Sequence, residues 1–305
     1  MVEINYAYQK TVSFSQYSLF NQCPHQWYLK YVKKLKDDSP SIHLIFGTSM
    51  HETLQLFFET MYKKTLKKAE ELDLVSDFKD RFLKEYKQSL LKNKGQHFSS
   101  SEQMREFYED GVAILEWFRK KRSKYFSKKG TELIGIEIPL QTLANKEISN
   151  VYFNGFIDFL LYDKVLNRYT IYDIKTSTRG WGDREKKDQT KINQILLYKK
   201  FISQLKGIPE ENIDVIFFIV KRKIIETDEF IIPRIQQFKP AHGKNKINQA
   251  YESFNAFLKE CFNPDGSYKE AEHPKKVSKL CNWCPFNNKP MLCDKNGENK
   301  NKFFV

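Results

Sequence analysis

Two residues apart in the run Tyr169-Thr-Ile-Tyr-Asp-Ile-Lys-Thr-Ser177 stand an acid and a base, Asp173 and Lys175. On a strand, positions two apart share one face. A second acid, Asp158, interrupts the apolar run Phe153-Asn-Gly-Phe-Ile-Asp-Phe-Leu-Leu-Tyr162. Two carboxylates and an ammonium on neighbouring strands can hold a divalent cation and activate water. That is the apparatus for cutting a phosphodiester bond. Taken alone, an Asp-x-Lys pair is more often a surface ion pair of little consequence. The elements that would carry these residues therefore decide the matter.

Around the pair, the hydrophobic pattern has a period of two. Residues 132–140 alternate like a strand, and 151–162 and 168–175 read as the next two, a hairpin joined near 164–167. Residues 178–187 form a Gly- and charge-rich loop, 193–205 a helix and 214–220 a buried strand, with another strand at 229–232. A helix follows over 245–262. Upstream the period is helical. Ser15 is a plausible N-cap for a short helix, and Pro24 opens the next, with Trp27, Tyr28 and Tyr31 as its apolar face. Gly47-Thr-Ser-Met-His51 leads into a helix striped by Leu54, Phe57, Phe58 and Met61. Residues 64–130 are helical and charged, with a stripe at Met104, Tyr108, Val112, Leu115 and Phe118 and a loop over 92–101. The expected fold is α/β: a mixed central sheet flanked by helices, with an N-terminal helical insertion and a cysteine-bearing C-terminal tail.

The chain of 305 residues is long enough to bury a sizeable core. Lys and Arg number 51 against 38 Asp and Glu, a net charge of +13 that favours a polyanionic partner. No apolar run approaches the roughly 20 residues that span a bilayer, and the N-terminus lacks signal-peptide organisation. These features point to the cytoplasm and away from membranes. The five cysteines, Cys23, Cys261, Cys281, Cys284 and Cys293, then read as thiols or metal ligands rather than disulfides. No G-x-x-x-x-G-K-[ST] phosphate loop is present, so no helicase motor is recognisable.

Six stretches stand in a telling order: Phe14-Ser-Gln-Tyr-Ser-Leu-Phe-Asn-Gln-Cys-Pro24, Gly47-Thr-Ser-Met-His51, Gly155-Phe-Ile-Asp158, Asp173-Ile-Lys-Thr-Ser177, Gln194-Ile-Leu-Leu-Tyr198 and Cys281-Asn-Trp-Cys-Pro-Phe286. Together they resemble the PD-(D/E)XK nuclease superfamily, in its RecB-like branch, which includes AddB-type and CRISPR-associated nucleases with an iron–sulfur cluster. The resemblance is thin over 64–130. It implies one restriction-endonuclease-like domain over 1–305. Its parts are N-terminal helices (1–63), the helical insertion (64–130), a catalytic core (131–232) and a C-terminal helix with a cluster-binding tail (233–305). Asp158 and Asp173 would hold Mg²⁺ or Mn²⁺, and Lys175 would orient the water or stabilise charge on the phosphate. The resemblance places His51 beside the metal, matches Glu137 to an acidic position, and has Gln194 and Tyr198 line the active site. Ile157 stands where the family's eponymous proline would be, a common departure in this branch.

Cys281, Cys284 and Cys293 supply three soft ligands, and Cys23 matches the family's remote fourth. Four thiolates suit a [4Fe–4S] cluster or a tetrahedral Zn²⁺ alike; the resemblance favours iron–sulfur, in a structural role. Cys261 is a core residue. In the loop after Lys175, Trp181 is expected to stack on a base and Arg179, Arg184, Lys186 and Lys187 to hold phosphates, with Arg119–Arg122 extending the track. The expected activity is a Mg²⁺- or Mn²⁺-dependent DNA exonuclease of recombination, repair or replication. It would work alone or with a separate helicase or recombination protein, in a format that suits a phage or mobile element. A structure-dependent endonuclease or CRISPR-adaptation nuclease is the alternative within the class. Outside it stand a non-catalytic DNA-binding scaffold and a zinc-binding interaction protein.

Overall fold

The structure is a computed structural model and describes residues 10–35, 40–127, 129–224, 232–271, 273–287, 289 and 291–293. Among the described residues six strands form one mixed sheet: β1 (Lys10–Val12), β2 (Thr131–Asn145), β3 (Ile148–Asp163), β4 (Arg168–Ser177), β5 (Ile213–Lys221) and β6 (Ile235–Phe238). Their order is β1-β3-β4-β5-β6, with β2 also on β3. The helices are α1 (Phe14–Gln22), α2 (Pro24–Trp27), α3 (Ile42–Glu59), α4 (Leu66–Glu70), α5 (Leu74–Lys92), α6 (Ser101–Lys121), α7 (Asp183–Lys186), α8 (Gln189–Lys206) and α9 (Lys244–Cys261). The chain divides into two compact units. Among the described residues no helix is long and apolar enough to cross a membrane.

The larger unit comprises Ser39–Leu140 and Phe156–Asn248. The expected hairpin is there: β3 and β4 run antiparallel, from Asp163 opposite Arg168 to Phe159 opposite Tyr172. Asp163 closes the turn, its Oδ1 accepting the N–H groups of Val165 and Leu166. β4 then pairs parallel with β5, and α8 is the crossover between them. Asp188 caps α8 by accepting from the backbone of Thr190 and Lys191, and Gly207, at φ +64°, ends it. Apolar residues of α3 at helical spacing, Phe46, Met50, Leu54, Phe57 and Phe58, are buried together with Phe78, Phe107 and Phe118 of α5 and α6. Phe58 stacks on Phe159 of β3, which stacks on Tyr172 of β4, each with ring centroids 4.6 Å apart. This aromatic column fixes α3 against the hairpin.

Helix α3 begins at Ile42, so Gly47 lies inside it rather than before it. Glycine reads as a helix breaker in sequence. Here its missing side chain permits close approach: a Cβ at Gly47 would stand 3.2 Å from Thr176 Oγ1 of β4. The turn carrying His51 can thus sit against the end of the strand carrying Lys175.

The smaller unit comprises Met1–Asp38, Gln141–Gly155 and Gln249–Val305. β1 pairs parallel with Val151–Phe153 of β3. Tyr17, Phe20, Trp27, Phe254 and Phe257 form its aromatic core. The cap of α1 is Ser13, whose side chain accepts from Gln16 N, and not Ser15, which falls in the first turn. Pro24 does open α2. The strand expected at 229–232 falls largely outside the described residues; the edge strand found is β6.

Candidate active site

One step beyond the last paired residues of the β3–β4 hairpin, each strand carries an aspartate. Asp158 turns its Oδ2 onto the backbone N–H of Ile174, 2.5 Å away. Asp173 is buried, and Lys175 Nζ lies 2.9 Å from its Oδ2. That contact pairs the charges at charge-assisted hydrogen-bond distance. His51 Nδ1, on α3, stands 3.7 Å from Asp158 Oδ2.

A fourth element supplies Glu137. Its backbone has φ +48°, left-handed inside strand β2, a conformation that costs a non-glycine residue about 1–2 kcal/mol. Such strain kinks a strand and re-aims a side chain. Gln55 holds this residue: its Nε2 donates to Glu137 Oε1 at 2.5 Å and to the carbonyl of Asp158 at 3.3 Å. Gln55 is buried and four residues after His51, on the same face of α3. Sequence reading missed it. The spacing from His51 was the only local signal, and the strained partner on β2 is invisible without the fold.

The electrostatics follow from this crowding. Burial pushes Asp158 up to about 7 and Asp173 up to about 6, although Lys175 pulls both down. Burial would lower Lys175, but Asp173 and Asp158 outweigh it and hold the ammonium above its ordinary range. Burial, helped by Lys175, pushes His51 down to about 4, so its imidazole is neutral at pH 7. Gln194 Nε2 donates to the hydroxyl of Tyr198, 3.1 Å away on α8, and burial followed by Asp173 keeps that phenol protonated. Asp158, Asp173, Lys175, His51, Glu137 and Tyr198 thus share one electrostatic neighbourhood.

The donor chemistry suits a hard divalent cation: a buried carboxylate, a second carboxylate beside it, and an uncharged imidazole. The geometry is not closed around one. Among the described residues, no three His, Cys, Asp or Glu side chains gather closely enough to hold a metal ion. Lys175 occupies the approach to Asp173.

The cysteines behave alike. Cys23, between α1 and α2, and Cys281, Cys284 and Cys293 line one cavity. Burial raises the Cys284 and Cys293 thiols. Soft donors from opposite ends of the sequence share a neighbourhood, but not at ligating distance. Cys261 is fully buried, as a core residue should be.

The expected nucleic-acid residues divide. Arg179, Arg184 and Lys187 are exposed and Lys186 half-buried. Trp181 is not a free stacking platform: it is 8% exposed and packs on Phe217 and Phe238. Gln236 clamps its backbone, accepting from Trp181 N and donating to Trp181 O. An aromatic in a charged loop reads as exposed; its partners lie more than thirty residues downstream. Two members of the Arg119–Arg122 run are likewise engaged, Arg119 with the carbonyl of Glu70 and Arg122 with its carboxylate.

A model of the PD-(D/E)XK nuclease superfamily matches residues 11–289. A solved structure from Eubacterium rectale, described as "Putative exonuclease", is similar with a TM-score of 0.46 and 13% identity, over 84% of this chain and 83% of that one. No curated protein matches.

Proposed function

This chain belongs to the PD-(D/E)XK nuclease superfamily, and on that premise we propose a Mg²⁺- or Mn²⁺-dependent DNA exonuclease of the RecB-like branch. The observation that carries the reading is the meeting of Asp158, Asp173, Lys175 and His51 at the open end of one hairpin. Asp158, Asp173 and His51 are the residues that would hold the cation, with Glu137 beside them. The chemistry a bound divalent cation supplies is charge for the phosphate oxygens and a water of lowered pKa. Lys175, kept protonated by the two aspartates, is suited to stabilise charge developing on the phosphate. Neutral His51 offers a nitrogen lone pair rather than a charge. Gln55 keeps Glu137 and the Asp158 backbone in register. The family match spans parts of both compact units, which supports reading them as one nuclease domain.

For the cysteine cavity we favour a structural [4Fe–4S] cluster, with Zn²⁺ as the alternative. Its support is the lining of one cavity by the four thiols the family resemblance selects.

The test is digestion of end-labelled linear and circular DNA with and without Mg²⁺ or Mn²⁺. Metal-dependent loss of linear but not circular DNA is expected, and Asp173→Ala should abolish it while preserving binding. Cutting of circles would replace the exonuclease by an endonuclease. Undiminished cutting by Asp173→Ala would show that the site is misassigned.

A further inference from the structure

Beside Lys175 a cleft of about 330 Å³ runs along the end of β4, lined by Thr176, Ser177, Gly180, Trp181, Glu185 and Lys191. Lys191 lies in the first turn of α8, three and seven residues before Gln194 and Tyr198, so it shares their helix face. Its ammonium stands over the indole of Trp181, 5.3 Å from the ring centroid, in cation–π contact. Its acid partner is loosely engaged and half-exposed: Asp188 caps α8 through Oδ1, and its Oδ2 makes an ion pair with Lys191 Nζ at 3.7 Å, too long for a hydrogen bond. Glu185 is turned to the N–H of Gly182.

The indole beneath is immobilised. Phe217 and Phe238 pack on it and Gln236 grips its backbone on both sides. The loop leading to it is closed by Ser177, which accepts from Gly180 N and donates to Gly180 O. Gly180 has φ +93°, and a Cβ there would stand 2.9 Å from Gln236 Oε1. A lysine ordinarily loses much side-chain freedom on gripping a ligand. Here a rigid aromatic already holds it.

We infer that Lys191, oriented by Trp181, is a phosphate-binding residue that seats a backbone phosphate of the substrate strand next to the one facing Lys175. The inference rests on the nuclease reading and adds a positioning subsite to it. Trp181 serves through its face toward Lys191, not by stacking on a base. The cleft contacts the sugar–phosphate chain and reads no sequence.

The experiment measures binding of a labelled DNA oligonucleotide in chelator across a salt series, and cutting with Mg²⁺ by the same proteins. Removing one phosphate contact should weaken binding about fivefold at 0.1 M salt and lower the salt slope by about 0.7–0.9. Lys191→Gln should do this, raising KM with kcat within about twofold, an effect of positioning and not of chemistry. Lys191→Arg should restore the slope, and Trp181→Phe, which keeps a ring under the ammonium, should retain most of it. An unchanged slope in Lys191→Gln, or a fall in kcat at constant KM, overturns the inference while the nuclease reading stands. Wild-type protein that binds DNA but never cuts it overturns the nuclease reading and leaves the binding result to be judged alone.

Discussion

At the residue scale, the candidate site is built from side chains whose titration burial has shifted. Asp158 at about 7 and Asp173 at about 6 bind protons more tightly folded than unfolded. A carboxylate raised in this way stabilises the fold at low pH and loses that contribution as pH rises through its folded value. His51, lowered to about 4, acts in the opposite sense as pH rises up to and through its ordinary value near 6.5, and so do His242 and His273, both also lowered by burial. Between pH 6 and 7 Asp158 draws stability down by on the order of 1 kcal/mol while these histidines draw it up. Relative to wild type, metal-free Asp158→Asn should therefore fall less, or rise more, in melting temperature from pH 6 to pH 7 in chelator, and Mn²⁺ should raise the wild-type melting temperature more at pH 7.5 than at pH 6. An equal slope in the variant would remove Asp158 as a contributor. The meeting of Asp158, Asp173, Lys175 and His51 was legible in the sequence because each stands in a short, ordered motif. Gln55 was not, since its meaning depends on the left-handed backbone of Glu137, which only the folded strand displays.

At the element scale, the hairpin and the α8 crossover followed from periodicity, because a period of two or of 3.6 is written locally. What escaped was contact. Gly47 looked like punctuation and proved to be clearance for α3 against Thr176. Trp181 looked like a ligand platform and proved to be core, because Phe217, Gln236 and Phe238 arrive from β5 and β6. The helical insertion offers a test of the same kind. Gly111 lies inside α6, where alanine would ordinarily stabilise by about 0.5–1 kcal/mol. A Cβ there would overlap the ring of Phe78, which is fully buried and itself packed by Phe46, Phe82 and Tyr108. Overpacking of a ring that cannot retreat costs about 1–3 kcal/mol. Sterics should win: Gly111→Ala should unfold at lower denaturant concentration than wild type. A stabilised variant would mean that α5 and α6 are not packed as described.

At the scale of the whole molecule, the count of 51 Lys and Arg overstates the number of cations free to meet a polyanion. Arg168 is committed to Asp214, Arg81 to Asp77 and Glu52, and Arg222 and Lys223 to Glu106 and Asp110. Such pairing cannot be read from a charge count, which is why individual basic runs were poor guides. The cysteine spacing foretold a shared cavity for Cys23, Cys281, Cys284 and Cys293, whose thiols are not at ligating distance. If a metal–thiolate group joins Cys23 to Cys281, Cys284 and Cys293, it ties two segments at opposite ends of the sequence, and closing so long a loop restricts the unfolded chain. Metal binding would then count as folding free energy. Protein purified without oxygen should contain iron with acid-labile sulfide; zinc without sulfide would select the alternative. Cys284→Ser should lose the metal and melt several degrees lower. Its cutting rate per folded molecule should hold, since Asp158, Asp173 and Lys175 lie in the other compact unit. Metal-free wild-type protein that melts together with Cys284→Ser would leave the four thiols as ordinary side chains around a cavity.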